Sequence, residues 1–118
     1  MKYFKISEFD SPDAPGSGAG MDRHFLELLD RAREDAGIPF VITSGYRTVG
    51  HNAELKGSTP NSAHLSGRAA DIRAITGRDK WLIVAASIRN GIRRIGIGKS
   101  FVHVDNDASL PNPTIWLY

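Results

Sequence analysis

The sequence predicts an α+β fold, a small and mostly antiparallel sheet with flanking helices, built as a single domain over residues 1–118. Three observations carry this expectation. Residues 22–36 and 78–90 place apolar side chains at helical spacings of three and four. Four short runs, residues 40–43, 69–74, 94–98 and 101–105, are bounded by turn formers and have the length of strands. A chain of 118 residues, 41% of them hydrophobic, is long enough for one core and too short for a separate cofactor domain.

Residues 1–20 read as an N-terminal arm and loop. Residues 11–20 are rich in proline, glycine and serine, and Phe4, Ile6 and Phe9 are the expected anchors of the arm on the core. A helix follows from Asp22 to Ala36, with Phe25, Leu28, Leu29, Ala32 and Ala36 on its apolar side. Asp22 suits its cap and Gly37 its stop, and Pro39 blocks continuation. His24, in the first turn, reads as a surface residue. Residues 40–43 read as a short buried strand ending at Ser44 and Gly45. Residues 49–62 read as a long loop with one helical turn around residues 52–55, and loops of that length often carry function. In residues 69–74, strand alternation puts Asp71 and Arg73 on one face and Ala70 and Ile72 on the other. Thr76 and Asp79 suit a capping box for a second helix over residues 78–90, its apolar side read as Trp81, Leu82, Val84, Ala85 and Ile88, with Gly91 as its stop. Residues 94–98 and 101–105 then form a hairpin, and Pro111 and Pro113 precede a last short strand over residues 114–118.

Composition excludes several classes of function. The net charge of +2 is too small to argue for a nucleic-acid partner, despite a pI near 9.2. Arg73, Arg78, Arg89, Arg93 and Arg94 are spread along the second half and read as solvated surface, with mild attraction to an anionic polymer such as a cell wall as the lesser reading. The absence of cysteine rules out disulfides and thiolate ligands, so any metal is held by nitrogen and oxygen. The first residues lack the apolar run of a signal peptide, no segment has the length of a membrane span, and no membrane partner is expected.

The chemistry concentrates in two segments. In residues 62–71, His64 and Asp71 stand seven residues apart, with Gly67 allowing a sharp turn between them. In residues 101–105, His103 and Asp105 alternate with Val102 and Val104, so one face of that strand is polar and the other apolar. Two imidazoles and one carboxylate, His64, His103 and Asp71, make a three-ligand set for a hydrolytic Zn2+ site on the sheet face, with a fourth position left for water.

The pattern Ser62-x-His64-x-x-Gly67-x-Ala69-x-Asp71, followed by Phe101-Val102-His103-Val104-Asp105, resembles the zinc D-alanyl-D-alanine carboxypeptidase family, which includes bacterial carboxypeptidases and phage endolysins that cut peptidoglycan peptides. Ser44-Gly45-Tyr46-Arg47-Thr48 with His51-Asn52 is similar to that family's other recurring segment, and Phe4-x-Ile6-Ser7-Glu8-Phe9 to the start of its short, phage-type members. The resemblance implies that His64, Asp71 and His103 bind zinc and that Arg47 binds substrate and transition state. A guanidinium suits either a C-terminal carboxylate or the oxyanion developing at a scissile carbonyl. Ser62 is expected either to hydrogen-bond near the site or to serve as a turn residue, and His51 and Asn52 to shape the loop. The resemblance further implies a monomer that acts on peptidoglycan stem peptides, cleaving D-Ala-D-Ala or a neighbouring amide. It implies a phage or prophage product, made in the bacterial cytoplasm or carried on a virion.

The chain departs from the family in one respect. Many members carry Glu or Asp three residues before the last histidine, and others a histidine two residues before it; here those positions are Ser100 and Phe101. The nearest carboxylate is Asp105, which either activates the attacking water or orients His103. Asp107 reads as a turn residue. The missing acid supports a second reading, a non-catalytic wall-binding or virion module of the same fold. A generic nucleic-acid binder ranks last, since no aromatic-basic interleaving supports it.

Overall fold

The computed structural model describes residues 1–118. The chain runs through 3-10 turns at Ile6–Phe9 and Ser17–Gly20, helix α1 (Arg23–Ala36), strand β1 (Ile42–Ser44) and helix α2 (Val49–Glu54). A third 3-10 turn at Ala63–Ser66 leads into strand β2 (Ala69–Arg73), helix α3 (Gly77–Arg89) and strands β3 (Arg94–Ile97), β4 (Phe101–Asp105) and β5 (Thr114–Leu117). The strands form one sheet in the order β1-β2-β4-β3-β5. The β1–β2, β2–β4 and β3–β4 pairs are antiparallel, whereas β5 joins β3 in parallel. The α+β class and the mostly antiparallel sheet expected from the sequence are both present.

Helix α1 forms as its pattern predicts. The Asp22 carboxylate accepts a hydrogen bond from the Phe25 amide at 2.9 Å, and Gly37 closes the helix. Its apolar stripe buries Phe25, Leu29 and Ala32 in one core with Ile83 and Ala86 of α3, Ala70 and Ile72 of β2, and Val102 and Val104 of β4. The N-terminal arm docks on this core through Phe4 and Phe9, whose rings meet edge to face at 5.3 Å.

Four local expectations are corrected. Ile6 is 42% exposed and does not anchor the arm, because the 3-10 turn rotates it away while Phe9 turns inward. The first strand begins at Ile42 rather than residue 40 and is half-exposed, since it is an edge strand paired only with β2. The helical segment expected around residues 52–55 spans Val49–Glu54, because the Thr48 hydroxyl caps it by accepting from the His51 amide at 3.1 Å. Helix α3 buries only part of the apolar side expected: Leu82 and Val84 pack partly buried against the core, whereas Trp81 is 65% exposed and Ile88 also faces outward, and the buried residues are Ile83, Ala86 and Ser87. At about 100° per residue, Trp81, Ala85 and Ile88 lie roughly half a turn away from the buried Ile83, Ala86 and Ser87. The face with small Ala86 and Ser87 is the one turned inward, and Asp35 of α1 holds Arg89 from it in a two-pronged ion pair.

Candidate metal centre

Three pieces of chain meet over the middle of the β2–β4 ladder, where Asp71 pairs with His103. The Phe9 carbonyl accepts from the Tyr46 amide at 2.9 Å, which ties the N-terminal arm to residues 44–48. The Arg47 amide in turn donates to the His64 carbonyl at 3.2 Å. His64 rides on the turn Ala63–Ser66, capped by Ser62, whose hydroxyl accepts from the His64 amide at 3.3 Å. Gly67 ends that turn at φ 73°, a left-handed conformation, and a Cβ there would collide with the Gly20 carbonyl. Glycine is therefore required twice, for the dihedral and for the close approach, before the chain enters β2 toward Asp71.

Asp71 and His103 are directly paired across β2 and β4, so their side chains share a face. His103 Nδ1 lies 2.9 Å from Asp71 Oδ1, and His64 Nε2 lies 3.4 Å from the same oxygen. One donor atom from each of the three residues lies within 4.8 Å of the others, a group that can hold a metal ion. The remaining nitrogen of each imidazole is occupied: His64 Nδ1 is 2.7 Å from the Gly45 carbonyl, and His103 Nε2 is 2.6 Å from Asp105 Oδ2. A histidine held in this way at one nitrogen presents the other as a ligand in a fixed orientation, as metal-binding histidines do.

Asp105 is 1% exposed, and both of its oxygens are engaged. Oδ2 takes His103, while Oδ1 accepts from Arg94 Nε at 2.8 Å and from the Asp107 amide at 3.1 Å. Arg47 donates to Ser44 Oγ at 3.1 Å, to Asn52 Oδ1 at 3.2 Å and to Asp71 Oδ2 at 3.4 Å. Asn52 is buried and also donates to the Thr59 carbonyl at 2.8 Å, which pins the loop beyond α2. His24 is exposed on α1, and His51 lies in α2 with its ring outside the group. Ser100 sits exposed in the β3–β4 turn, and the Phe101 ring packs on Tyr118 at 5.0 Å.

The electrostatics follow from this geometry. Burial opposes ionisation of Asp71, yet hydrogen bonds from His103 and His64 outweigh it and hold the carboxyl well below the usual range. Burial likewise disfavours the charged His103 imidazole, but the Asp105 and Asp71 carboxylates on its two sides raise its pKa. Burial lowers the Arg47 pKa against the pull of Asp71, and burial pushes the Tyr118 phenol up. A cluster of opposed imidazoles and carboxylates whose other atoms are already satisfied suits a cation between them.

The group opens into a cleft of about 550 Å³, a size suited to a small substrate. Arg47, Ser62, His64, Asp71, His103 and Asp105, all singled out in the sequence, line it together. Arg94, Trp116 and Tyr118 also line it, and the sequence did not single them out as site residues. Arg94, expected as solvated surface, is instead folded in against Asp105, with its guanidinium 4.9 Å from the Trp116 ring. The signal for it was the hairpin register, which sets Arg94 directly opposite Asp105. Trp116 arrives on β5 and Tyr118 directly after it, and no local pattern announces which strand β5 will join.

No helix is long and apolar enough to cross a membrane. A comparison with curated proteins finds no match. The sequence model of the family described as Peptidase M15 matches residues 2–105, a span that holds His64, Asp71, His103, Arg47 and Asp105 and stops short of β5. Family match and metal-binding geometry thus fall on the same residues, and the chain belongs to the Peptidase M15 family of metallopeptidases.

Proposed function

We propose that the chain is a zinc-dependent peptidase acting on peptidoglycan stem peptides, at the D-Ala-D-Ala bond or a neighbouring amide. The observation that carries this reading is the convergence of His64 Nε2, Asp71 Oδ1 and His103 Nδ1, with the second nitrogen of each histidine already held by Gly45 or Asp105. A nitrogen and oxygen set without thiolate suits Zn2+, which when bound lowers the pKa of a water to about 7 and polarises a carbonyl.

The chain's own residues divide the remaining work. Arg47 stands beside Asp71 in the cleft wall and holds the substrate carboxylate or the developing oxyanion. Ser62 keeps His64 in place by capping its turn. Asp105 is a positioning residue rather than a base, because its two oxygens are spent on His103, Arg94 and the Asp107 amide. In this reading the chain works as a monomer on wall peptide, reached from the cytoplasm of a phage-infected cell or from a virion.

One observation favours a second reading, a wall-binding module without turnover. Asp71 and Asp105 are the only carboxylates lining the cleft, and both are engaged. Metal analysis of the purified chain, followed by digestion of purified peptidoglycan, separates the two. Stoichiometric zinc with released D-alanine or peptide fragments supports the peptidase; zinc and wall retention without release supports the module. A chain that takes up no zinc overturns both assignments of the metal.

A further inference from the structure

The family match ends at residue 105, yet the cleft does not. Strand β5 lies parallel to β3, with Trp116 opposite Gly96, and Gly96 in turn lies opposite His103. Gly96 is the device that joins β5 to the site. A Cβ at Gly96 would stand 2.6 Å from the Trp116 ring and 2.7 Å from the Tyr118 ring. Without that atom, both aromatic rings cross β3 and reach the edge of His103, at 5.5 Å for Trp116 and 6.5 Å for Tyr118.

The two rings are held firmly. The Tyr118 amide donates to the Ile97 carbonyl at 3.0 Å, and its ring leans on Phe101 at 5.0 Å and Trp116 at 6.1 Å. Trp116 is stacked under Arg94. Tyr118 nevertheless remains 68% exposed while lining the cleft, so its ring is oriented without being used as core. An aromatic side chain fixed on one side and open on the other is built to meet a ligand.

We propose that β5 and the residue after it supply the substrate wall of the cleft, with Trp116 as an apolar platform and Tyr118 as a hydroxyl donor to the substrate oxygen that Arg47 also faces. The substrate class is a short peptide with small apolar side chains and an anionic or carbonyl oxygen at the metal centre, and in naming a stem peptide the proposal rests on the peptidase reading above. Methyl groups suit the indole face, and a phenol suits an oxygen that gains charge in the transition state.

The chain holds two tryptophans, so a Trp81→Phe background leaves Trp116 as the only indole reporter, and Trp81 lies on the outer face of α3 away from the cleft. The zinc-loaded protein is titrated with a stem peptide whose D-Ala-D-Ala amide is replaced by an uncleavable phosphinate. Binding is expected to change Trp116 emission, and Tyr118→Phe to weaken that binding roughly 10- to 100-fold, the loss of one hydrogen bond to a charged oxygen. Zinc content and thermal midpoint are expected to stay unchanged, and kcat/KM for the cleavable peptide to fall in parallel. Hydrolysis with Tyr118→Phe binding within twofold of the parent, or with unmoved Trp116 emission, overturns the wall and leaves the peptidase standing. Phosphinate binding that depends on Tyr118 without hydrolysis does the reverse. Loss of zinc in Tyr118→Phe assigns the tyrosine a structural role and overturns the proposal.

Discussion

Asp71 and Ile72 are neighbours in the chain and strangers in the fold, as are His103 and Val104. Strand alternation sends one of each pair to the cleft and the other to the core beneath α1 and α3. On the core face, Ala70, Ile72, Val102 and Val104 join the apolar core and owe their place to the area they remove from water. On the cleft face, Asp71, His103 and Asp105 are nearly as buried, yet each polar atom has a named partner. The difference teaches that burial has two currencies within one sheet. The core face tolerates any well-shaped apolar residue, whereas the cleft face is a closed set of hydrogen bonds in which each member depends on the next.

The largest expected effect comes from breaking the cleft face alone. His64→Ala is expected to abolish stoichiometric zinc binding and to reduce peptide hydrolysis by about 10³-fold or more, a transition-state loss of ~4 kcal/mol. Metal analysis beside a steady-state assay checks it, and a variant that keeps full zinc would dissolve the proposed ligand set. Breaking the core face instead, with Ile72→Ala, is expected to cost ~3 kcal/mol of unfolding free energy in a denaturant melt. Zinc stoichiometry in the folded fraction is expected to stay intact; a loss of zinc there would mean the two faces are not separable.

A smaller effect sharpens the boundary between binding a metal and orienting its ligand. Asp105→Asn removes the charge opposite His103 Nε2 while keeping the shape, and is expected to weaken zinc affinity roughly 10- to 100-fold. Competition against a chelator measures this. If turnover instead collapses at saturating zinc with affinity unchanged, Asp105 is a base rather than a positioning residue. The smallest expected effect lies far from the cleft. Asp22→Ala removes the cap of α1 and is expected to cost ~1 kcal/mol of stability with no change in zinc affinity.

The helices and strands that the sequence announced were those set by neighbours a few residues apart. The Asp22 cap, the α1 stripe and the hairpin of β3 and β4 are all local patterns, and each is present. The strand carrying Asp71 and the turn at Gly67 were legible for the same reason. Helix α3 shows where such reading fails. Its apolar residues run most of the way round the helix, and the packing of Ile83 and Ala86 in the core decides which of them are buried. Arg94 was a surface arginine until the register placed Asp105 beside it.

The sequence by itself determined which residue types could hold a metal and which face of each strand they share. Period-two alternation and glycine at a positive φ are properties of the chain's own geometry. Tertiary structure alone decided that Asp71 meets His103 and His64 at one point, and that the end of the chain lays Trp116 and Tyr118 over Gly96 at the cleft. Those outcomes depend on pairings between segments distant in sequence, chosen by how the whole core closes, and no local pattern encodes them.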